Sequence, residues 1–158
     1  MPKEIERKFL IKTDGWRRLG ETVLIRQGYL STDPARTVRV RLAGDRAWIT
    51  VKGVSRGPER SEYEYTIPST EAAEMLDTLC IRPVLEKRRT RIPIGDLIWE
   101  VDEFLGENAG LIVAEVELKS SDQQITPPAW AGREVTGDVR FYNSSLSKNS
   151  FSLWRSSL

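Results

Sequence analysis

Charged and uncharged residues alternate with a period of two in seven stretches of the chain: Glu4 to Lys8, Arg39 to Arg41, Thr50 to Lys52, Glu62 to Glu64, Lys87 to Arg89, Glu100 to Asp102 and Glu115 to Glu117. Successive strand side chains point to opposite faces, so each stretch sets its charges on one face and mostly apolar residues on the other. The periodicity predicts eight strands, over 3–11, 22–31, 36–43, 46–53, 60–67, 83–94, 97–104 and 111–119. Turn signals at Ala43-Gly44-Asp45 and Gly95-Asp96 make their flanking strands antiparallel hairpins. One clear helix is predicted after Pro68, with Ser69 or Thr70 as N-cap and Glu71 and Glu74 near its positive end. Ala72, Met75, Leu76 and Leu79 form its apolar stripe. Short helices are expected near Trp16 to Leu19 and after Asp138, and the proline- and glycine-marked stretch after Lys119 reads as a loop that wraps the sheet.

Two arrangements satisfy this alternation. In a two-layer protein the apolar faces, such as Ile5, Phe9 and Ile11, Val38, Val40 and Leu42, or Ala114, Val116 and Leu118, pack on helices while the charges meet water. In the other, the helices stay on the apolar face but the sheet curls until the charges face one another. Those charges are Glu4, Glu6, Glu62, Glu64, Glu100, Asp102, Glu115 and Glu117 against Lys8, Arg39, Arg41, Lys52, Lys87, Arg89 and Arg91. Like charges on facing strands repel, so a sheet that gathers them calls for counter-ions. Unpaired burial costs several kcal/mol per ion, so water, metal cations and a polyanion must share such a cavity. A barrel of eight strands has an interior that side chains just fill or that holds one small ligand. The expected fold is therefore α+β: a closed eight-stranded antiparallel β-barrel, a tunnel with a charged interior and a few helices packed outside.

Composition narrows the chemistry. The 158 residues are expected to form one domain over 1–158, and 24 basic against 23 acidic residues leave no bulk charge for nonspecific nucleic-acid binding. The run Lys87-Arg88-Arg89-Thr90-Arg91 lies inside a predicted strand, between Val84-Leu85 and Ile92-Pro93-Ile94, so no nucleic-acid partner is expected from it. The chain has no histidine, which removes Ser-His-Asp triads, Cys-His pairs and histidine-based zinc and iron sites. A P-loop is absent, and the single Cys80 reads as a buried structural residue in a chain without an internal disulfide. The start Met-Pro-Lys-Glu lacks the apolar run of a signal peptide, and no apolar segment approaches the ~20 residues of a membrane helix. A cytoplasmic location without a membrane partner is expected. Carboxylates are hard oxygen ligands and, together with phosphate, select Mg2+ or Mn2+ rather than zinc.

Glu4-Ile5-Glu6-Arg7-Lys8 resembles the N-terminal Glu-x-Glu-x-Lys signature of the CYTH superfamily, the triphosphate tunnel metalloenzymes. Gln27-Gly28-Tyr29-Leu30, Arg39-Val40-Arg41, Thr50-Val51-Lys52, Glu62-Tyr63-Glu64, Glu86 to Arg89, Trp99 to Asp102, Val113 to Glu117 and Arg140 to Asn143 follow in the family's order. The resemblance implies a tunnel that binds a triphosphate with two Mg2+ or Mn2+ ions, and it is strongest to short bacterial members that hydrolyse inorganic tripolyphosphate. It makes Glu4, Glu6, Glu115 and Glu117 the metal ligands, with Asp102 sharing them. Lys8, Arg39, Arg41, Lys52, Lys87 and Arg89 would bind phosphate oxygens, and Arg140 would close one mouth. Lys87 is the candidate for polarising the scissile phosphate or leaving group, and Glu4 or Glu6 for orienting the attacking water. Glu62, Glu64 and Glu100 either hold the bases in place or touch metal or water. The family also contains adenylyl cyclases, thiamine triphosphatases and RNA 5′-triphosphatases, so the organic group stays open. A noncatalytic polyphosphate-binding module and a purely structural barrel are the readings from other classes. If the chain assembles, an isologous homodimer is the commonest form.

Overall fold

The computed structural model describes residues 3–158. Nine strands form: β1 (Lys3–Ile11), β2 (Glu21–Ser31), β3 (Thr37–Ala43), β4 (Arg46–Lys52), β5 (Glu59–Ile67), β6 (Leu85–Ile94), β7 (Leu97–Phe104), β8 (Ile112–Glu117) and β9 (Ala131–Glu134). They are ordered β5-β4-β3-β2-β6-β7-β8-β1-β9, and a further β1–β5 pairing closes the first eight into an antiparallel barrel. β1 makes the closure by changing partner along its length. Its first residues, Lys3 to Ile5, pair with β5, and Glu6 to Leu10 pair with β8.

The loop predicted after Lys119 contains the one strand that alternation missed. β9 is only four residues long and lies along the end of β1, with Phe9 opposite Glu134 and Ile11 opposite Ala131. A bidentate Arg7–Glu134 ion pair ties it to β1. Upstream of β9 the segment does wrap the sheet: Ile125 and Trp130, with Trp16 of a 3-10 turn at Asp14–Trp16, cover the outward Phe9, Trp99, Val101, Ala114 and Val116.

Helix α1 (Ser69–Thr78) packs outside β3 and β4, setting Ala72, Leu76 and Cys80 against Val40 and Ala47. Its N-cap is Pro68, not Ser69 or Thr70. The Pro68 carbonyl accepts from the amides of Glu71 and Ala72, and no side chain caps the helix. Leu79 also leaves the expected stripe: it follows the helix and is 66% exposed. Gly28 sets how closely α1 approaches, because a Cβ there would lie 2.8 Å from Cys80 Cβ and 3.2 Å from Leu76 Cδ2. Gly28→Ala is expected to cost about 1–3 kcal/mol by overpacking, read as a lowered thermal midpoint. An unchanged midpoint would mean that α1 is not tightly docked. No helix among the described residues is long and apolar enough to cross a membrane.

The C-terminal segment behaves differently from α1. Phe141, Leu146, Phe151 and Trp154, around α2 (Asn143–Leu146), pack on Tyr29, Leu85, Phe104 and Val113. Those four strand residues lie in the inward phase of β2, β6, β7 and β8, so the segment fills one end of the barrel interior. Trp154 stands edge-on to both Phe141 and Phe151, at 5.3 and 5.0 Å between ring centroids. The lumen is thus apolar and plugged at this end and charged beyond it.

Candidate active site

Residues directly opposite on paired strands share a face, so the register assigns the lining. Glu4, Glu6 and Lys8 of β1 point inward with Arg39 and Arg41 of β3, Thr50 and Lys52 of β4, and Arg60, Glu62 and Glu64 of β5. Lys87, Arg89 and Arg91 of β6, Glu100 and Asp102 of β7, and Glu115 and Glu117 of β8 complete it. Several facing pairs are complementary: Lys8 with Glu115, Lys52 with Glu62, Arg89 with Asp102 and Arg91 with Glu100. Two are not, because Glu6 faces Glu117 and Glu100 faces Glu115. Like charges directly opposite destabilise a ladder, so these positions carry a cost that their neighbours must offset.

Much of the offset comes from acid–base pairs inside the lumen. Lys52 Nζ donates to Glu4 Oε1 at 2.7 Å and lies 3.5 Å from Glu62. Lys8 Nζ lies 3.5 Å from Glu115 and 3.8 Å from Glu6. Glu64 accepts from Thr50 at 2.7 Å and sits 3.6 and 3.7 Å from Arg39 and Arg41. Glu100 is 3.4 Å from Arg89 and 3.6 Å from Arg91. Burial, with the charges of Glu115 and Glu4, pushes the Glu6 carboxyl up to about 7. Burial also raises Glu4, where Lys52 opposes it, and Glu117, where Glu4, Glu6 and Glu100 add to it. Burial alone would raise Glu115, but Lys8, Arg89 and Lys87 hold it below the usual carboxylate range despite Asp102. The arrangement is a field short of cations around Glu4, Glu6 and Glu117.

Deeper in, Asp102 is 1% exposed and both its oxygens are engaged. Arg89 donates to them at 2.7 and 2.8 Å, and Lys87 Nζ lies 2.7 Å from Oδ2. Burial would raise this carboxyl, yet the two cations hold it well below the usual range. Lys87 is fully buried, and its ammonium also donates to Asn143 Oδ1 of α2 at 3.2 Å. Burial pulls its pKa down to about 8, with Asp102 opposing and Arg89 assisting. At neutral pH the pair is therefore ionised on both sides.

The charged part of the lumen holds two cavities. An outer chamber of about 160 Å3 is lined by Glu4, Glu6, Glu62, Glu64, Glu100, Glu115 and Glu117 with Arg39, Arg41, Lys52 and Arg89. An inner chamber of about 50 Å3 reaches the plug, and Tyr142, Asn143 and Ser144 line it together with Thr37, Ser55 and Arg60. Glu6, Arg39, Lys52, Arg89 and Glu115 line both and form the waist between them. The structure thus brings Glu4, Glu6, Lys8, Arg39, Arg41, Lys52, Arg89, Glu115 and Glu117 onto the two cavities. Lys87 and Asp102 line neither: they face inward at the plugged end, where Asn143 of α2 meets the Lys87 ammonium. Arg140 stays outside too, bound to Asp138 through four contacts and stacked against Phe141 and Trp154. Arg60, Thr37, Tyr142 and Asn143 were not singled out from sequence. Tyr142 and Asn143 stood in the sequence only within the matched segment Arg140 to Asn143, and Arg60 only as a base two residues before Glu62 in the same inward phase.

Residues 2–148 match the CYTH domain. The chain is 50% identical over 151 residues to an inorganic triphosphatase of Acetivibrio thermocellus, covering 96% of this chain and 97% of that protein. It is 40% identical over 149 residues to an inorganic triphosphatase of Nitrosomonas europaea, covering 90% and 95%. A crystal structure of an inorganic triphosphatase superposes with a TM-score of 0.63 at 37% identity, over 93% of this chain and 95% of that one. A structure described as an adenylyl cyclase from Hippeastrum with a dominant triphosphatase activity shares the fold, with a TM-score of 0.59 at 14% identity over 74% of this chain and 80% of that one. By sequence along nearly its whole length and by its eight-stranded antiparallel barrel, the chain belongs to the CYTH domain family.

Proposed function

We propose that the protein is a metal-dependent triphosphatase that hydrolyses inorganic tripolyphosphate to pyrophosphate and orthophosphate inside the barrel. The observation that carries this reading is the placement of the facing pairs Glu6–Glu117 and Glu100–Glu115 among Lys8, Arg39, Arg41, Lys52 and Arg89 in one closed lumen. Phosphate binding alone gains nothing from facing carboxylates, whereas a divalent cation with a triphosphate neutralises acids and bases together. Similarity to two inorganic triphosphatases supports the choice of substrate.

The donor set fits a hard cation: it is all carboxylate oxygen, and Glu6 and Glu117 are both raised by carboxylate neighbours that a cation would quiet. No group of three such side chains among the described residues already converges on an ion position. Glu4 and Glu115 are instead drawn to Lys52 and Lys8. We assign Glu4, Glu6, Glu115 and Glu117 to hold Mg2+ or Mn2+, with room in the assignment for two ions. When bound, such ions supply charge neutralisation on the phosphoryl oxygens and a more acidic attacking water.

Arg39, Arg41 and Arg89 offer forked donors to the phosphate chain, and Lys8 and Lys52 offer point charges, once the carboxylates release them to the ions. Glu6 sits at the waist, where it takes the role of orienting the water and receiving its proton. Asp102 is assigned a positioning role, because both its oxygens are taken up by Lys87 and Arg89. Lys87 acts through Asp102, which it shares with Arg89, and through Asn143.

Two tests follow. Between pH 4.5 and about 7 the folded chain keeps a Glu6 proton that the unfolded chain has lost, so metal-free stability falls as pH rises through that window. A cation must displace that proton. Mn2+ affinity, read from free Mn2+ by electron paramagnetic resonance, is therefore expected to drop by up to tenfold per unit below pH 7. Equal affinity at pH 5.5 and 7.5, roughly 1.5 units below and 0.5 units above that midpoint, would remove Glu6 from the site. For the substrate, phosphate release from tripolyphosphate should exceed that from ATP and thiamine triphosphate. Predominant cyclic AMP formation from ATP would replace this reading with a cyclase.

A further inference from the structure

The inner chamber differs from the outer one in sign. Its lining carries five basic groups and two carboxylates, whereas the outer lining carries seven carboxylates and four basic groups. Arg60 stands apart among the inward-facing cations. Lys8, Arg39, Arg41, Lys52, Lys87, Arg89 and Arg91 each have a carboxylate within 4.0 Å, and Arg60 has none among the described residues. Its guanidinium is held by neutral groups instead: Nε donates to the Gly53 carbonyl at 3.1 Å and Nη2 to Thr37 Oγ1 at 3.5 Å. Across the chamber, Ser55 and Tyr142 hydroxyls lie 3.4 Å apart. Arg39, 9% exposed and common to both chambers, has a buried Nε with no partner. One cation without a carboxylate partner, a second with a partnerless buried Nε, and hydroxyl donors beside them in a small, partly open chamber make a site for a compact oxyanion.

We propose that the inner chamber is an orthophosphate subsite, in which Arg60, Thr37 and Ser55 join Arg39 to hold the phosphate cleaved from the end of the substrate. This rests on the triphosphatase reading and deepens it. About 50 Å3 leaves room for a few waters at ~10–15 Å3 each, a size that suits a compact oxyanion. The plug residues Tyr142, Asn143 and Ser144 border the inner chamber together with the exposed Gly57 and Gly137, and a linear substrate entering end-on from the carboxylate-rimmed mouth sets its terminal phosphorus at the waist. In-line attack then requires the water on the inner side. Its oxygen bonds to the terminal phosphorus, the bridging P–O bond breaks, pyrophosphate leaves toward the mouth with the electron pair, and the water's proton passes to Glu6. The phosphorus moves inward as it inverts, toward Arg60.

The test is calorimetric titration of the full chain with inorganic phosphate, without substrate or turnover, alongside phosphate inhibition of tripolyphosphate hydrolysis. One phosphate is expected to bind the wild type. Arg60→Gln should weaken that binding by about 10–100-fold, the loss of a charge-assisted contact, and by more than it raises KM for tripolyphosphate. Arg60→Lys should recover part of it, and Ser55→Ala, in a loop outside the barrel ladders, should weaken it by a smaller factor with the fold intact. Wild-type protein that binds no phosphate, or equal phosphate affinity in wild type and Arg60→Gln, would overturn the subsite. So would a parallel loss for phosphate and tripolyphosphate, which makes Arg60 part of the general grip on substrate. Because the titration needs no catalysis, failure of the hydrolase reading shows separately, as absent phosphate release from tripolyphosphate by a chain that still binds phosphate.

Discussion

Glu6→Gln and Glu117→Gln are each expected to lower metal-dependent tripolyphosphate hydrolysis by about 100–1,000-fold while the metal-free protein keeps or raises its thermal midpoint at pH 8. The opposite signs follow from one cause. Glu6 and Glu117 face each other across β1 and β8, and both carboxyls are raised by burial and by neighbouring acids, so each is an electrostatic cost to the empty fold. An amide removes the repulsion and also removes a ligand that a cation needs. Lys8 keeps Glu115 at 3.5 Å when Glu6 is neutralised, so no base is stranded. A variant that loses activity and stability together would place these residues in the scaffold instead. Full activity in both would break the ligand assignment.

Asp102→Asn should do the reverse and unfold the protein first. The carboxylate is the only group within 4.0 Å that compensates the buried Lys87 ammonium among the described residues, and it also takes two hydrogen bonds from Arg89. Removing one partner of a buried pair costs about 3–5 kcal/mol, because it leaves an uncompensated charge. For a chain of this size that is a fall of roughly 6–20 °C in thermal midpoint. The double variant Lys87→Met with Asp102→Asn should regain much of the loss, since Arg89 still has Glu100 and Glu115 nearby. If the single variant melts within a degree or two of wild type, the buried ion pair contributes little and Asp102 is free for another role.

The barrel was legible because its strands are long and their alternation is strict. Arg39-Val40-Arg41 and Glu115-Val116-Glu117 admit one register with the apolar residue outward, and a one-residue slip would bury every outer valine in the charged lumen. The plug was not legible. Phe141, Leu146, Phe151 and Trp154 follow no helical or strand period, and what they cover, Tyr29, Leu85, Phe104 and Val113, sits on the same inward face as the charges. Reading that face as uniformly charged therefore missed that one end of the interior is an apolar core. β9 escaped because Ala-Gly-Arg-Glu carries no alternation of hydrophobicity, and pairing with β1 alone creates it. Arg140 fell in a matched segment but turns back onto Asp138, a contact only two residues away that sequence order does not weigh against a site in the lumen. Arg60 was passed over as an isolated base beside two acids, although its phase was the same as theirs.

Every role assigned above depends on a lumen that takes a metal ion and a triphosphate together and cuts the latter. Phosphorus-31 resonance of purified protein with tripolyphosphate, with Mg2+ or Mn2+ and then with excess chelator, tests this most directly. Equal amounts of pyrophosphate and orthophosphate should appear with metal and cease with chelator. Tripolyphosphate left intact in the presence of either ion would contradict the account.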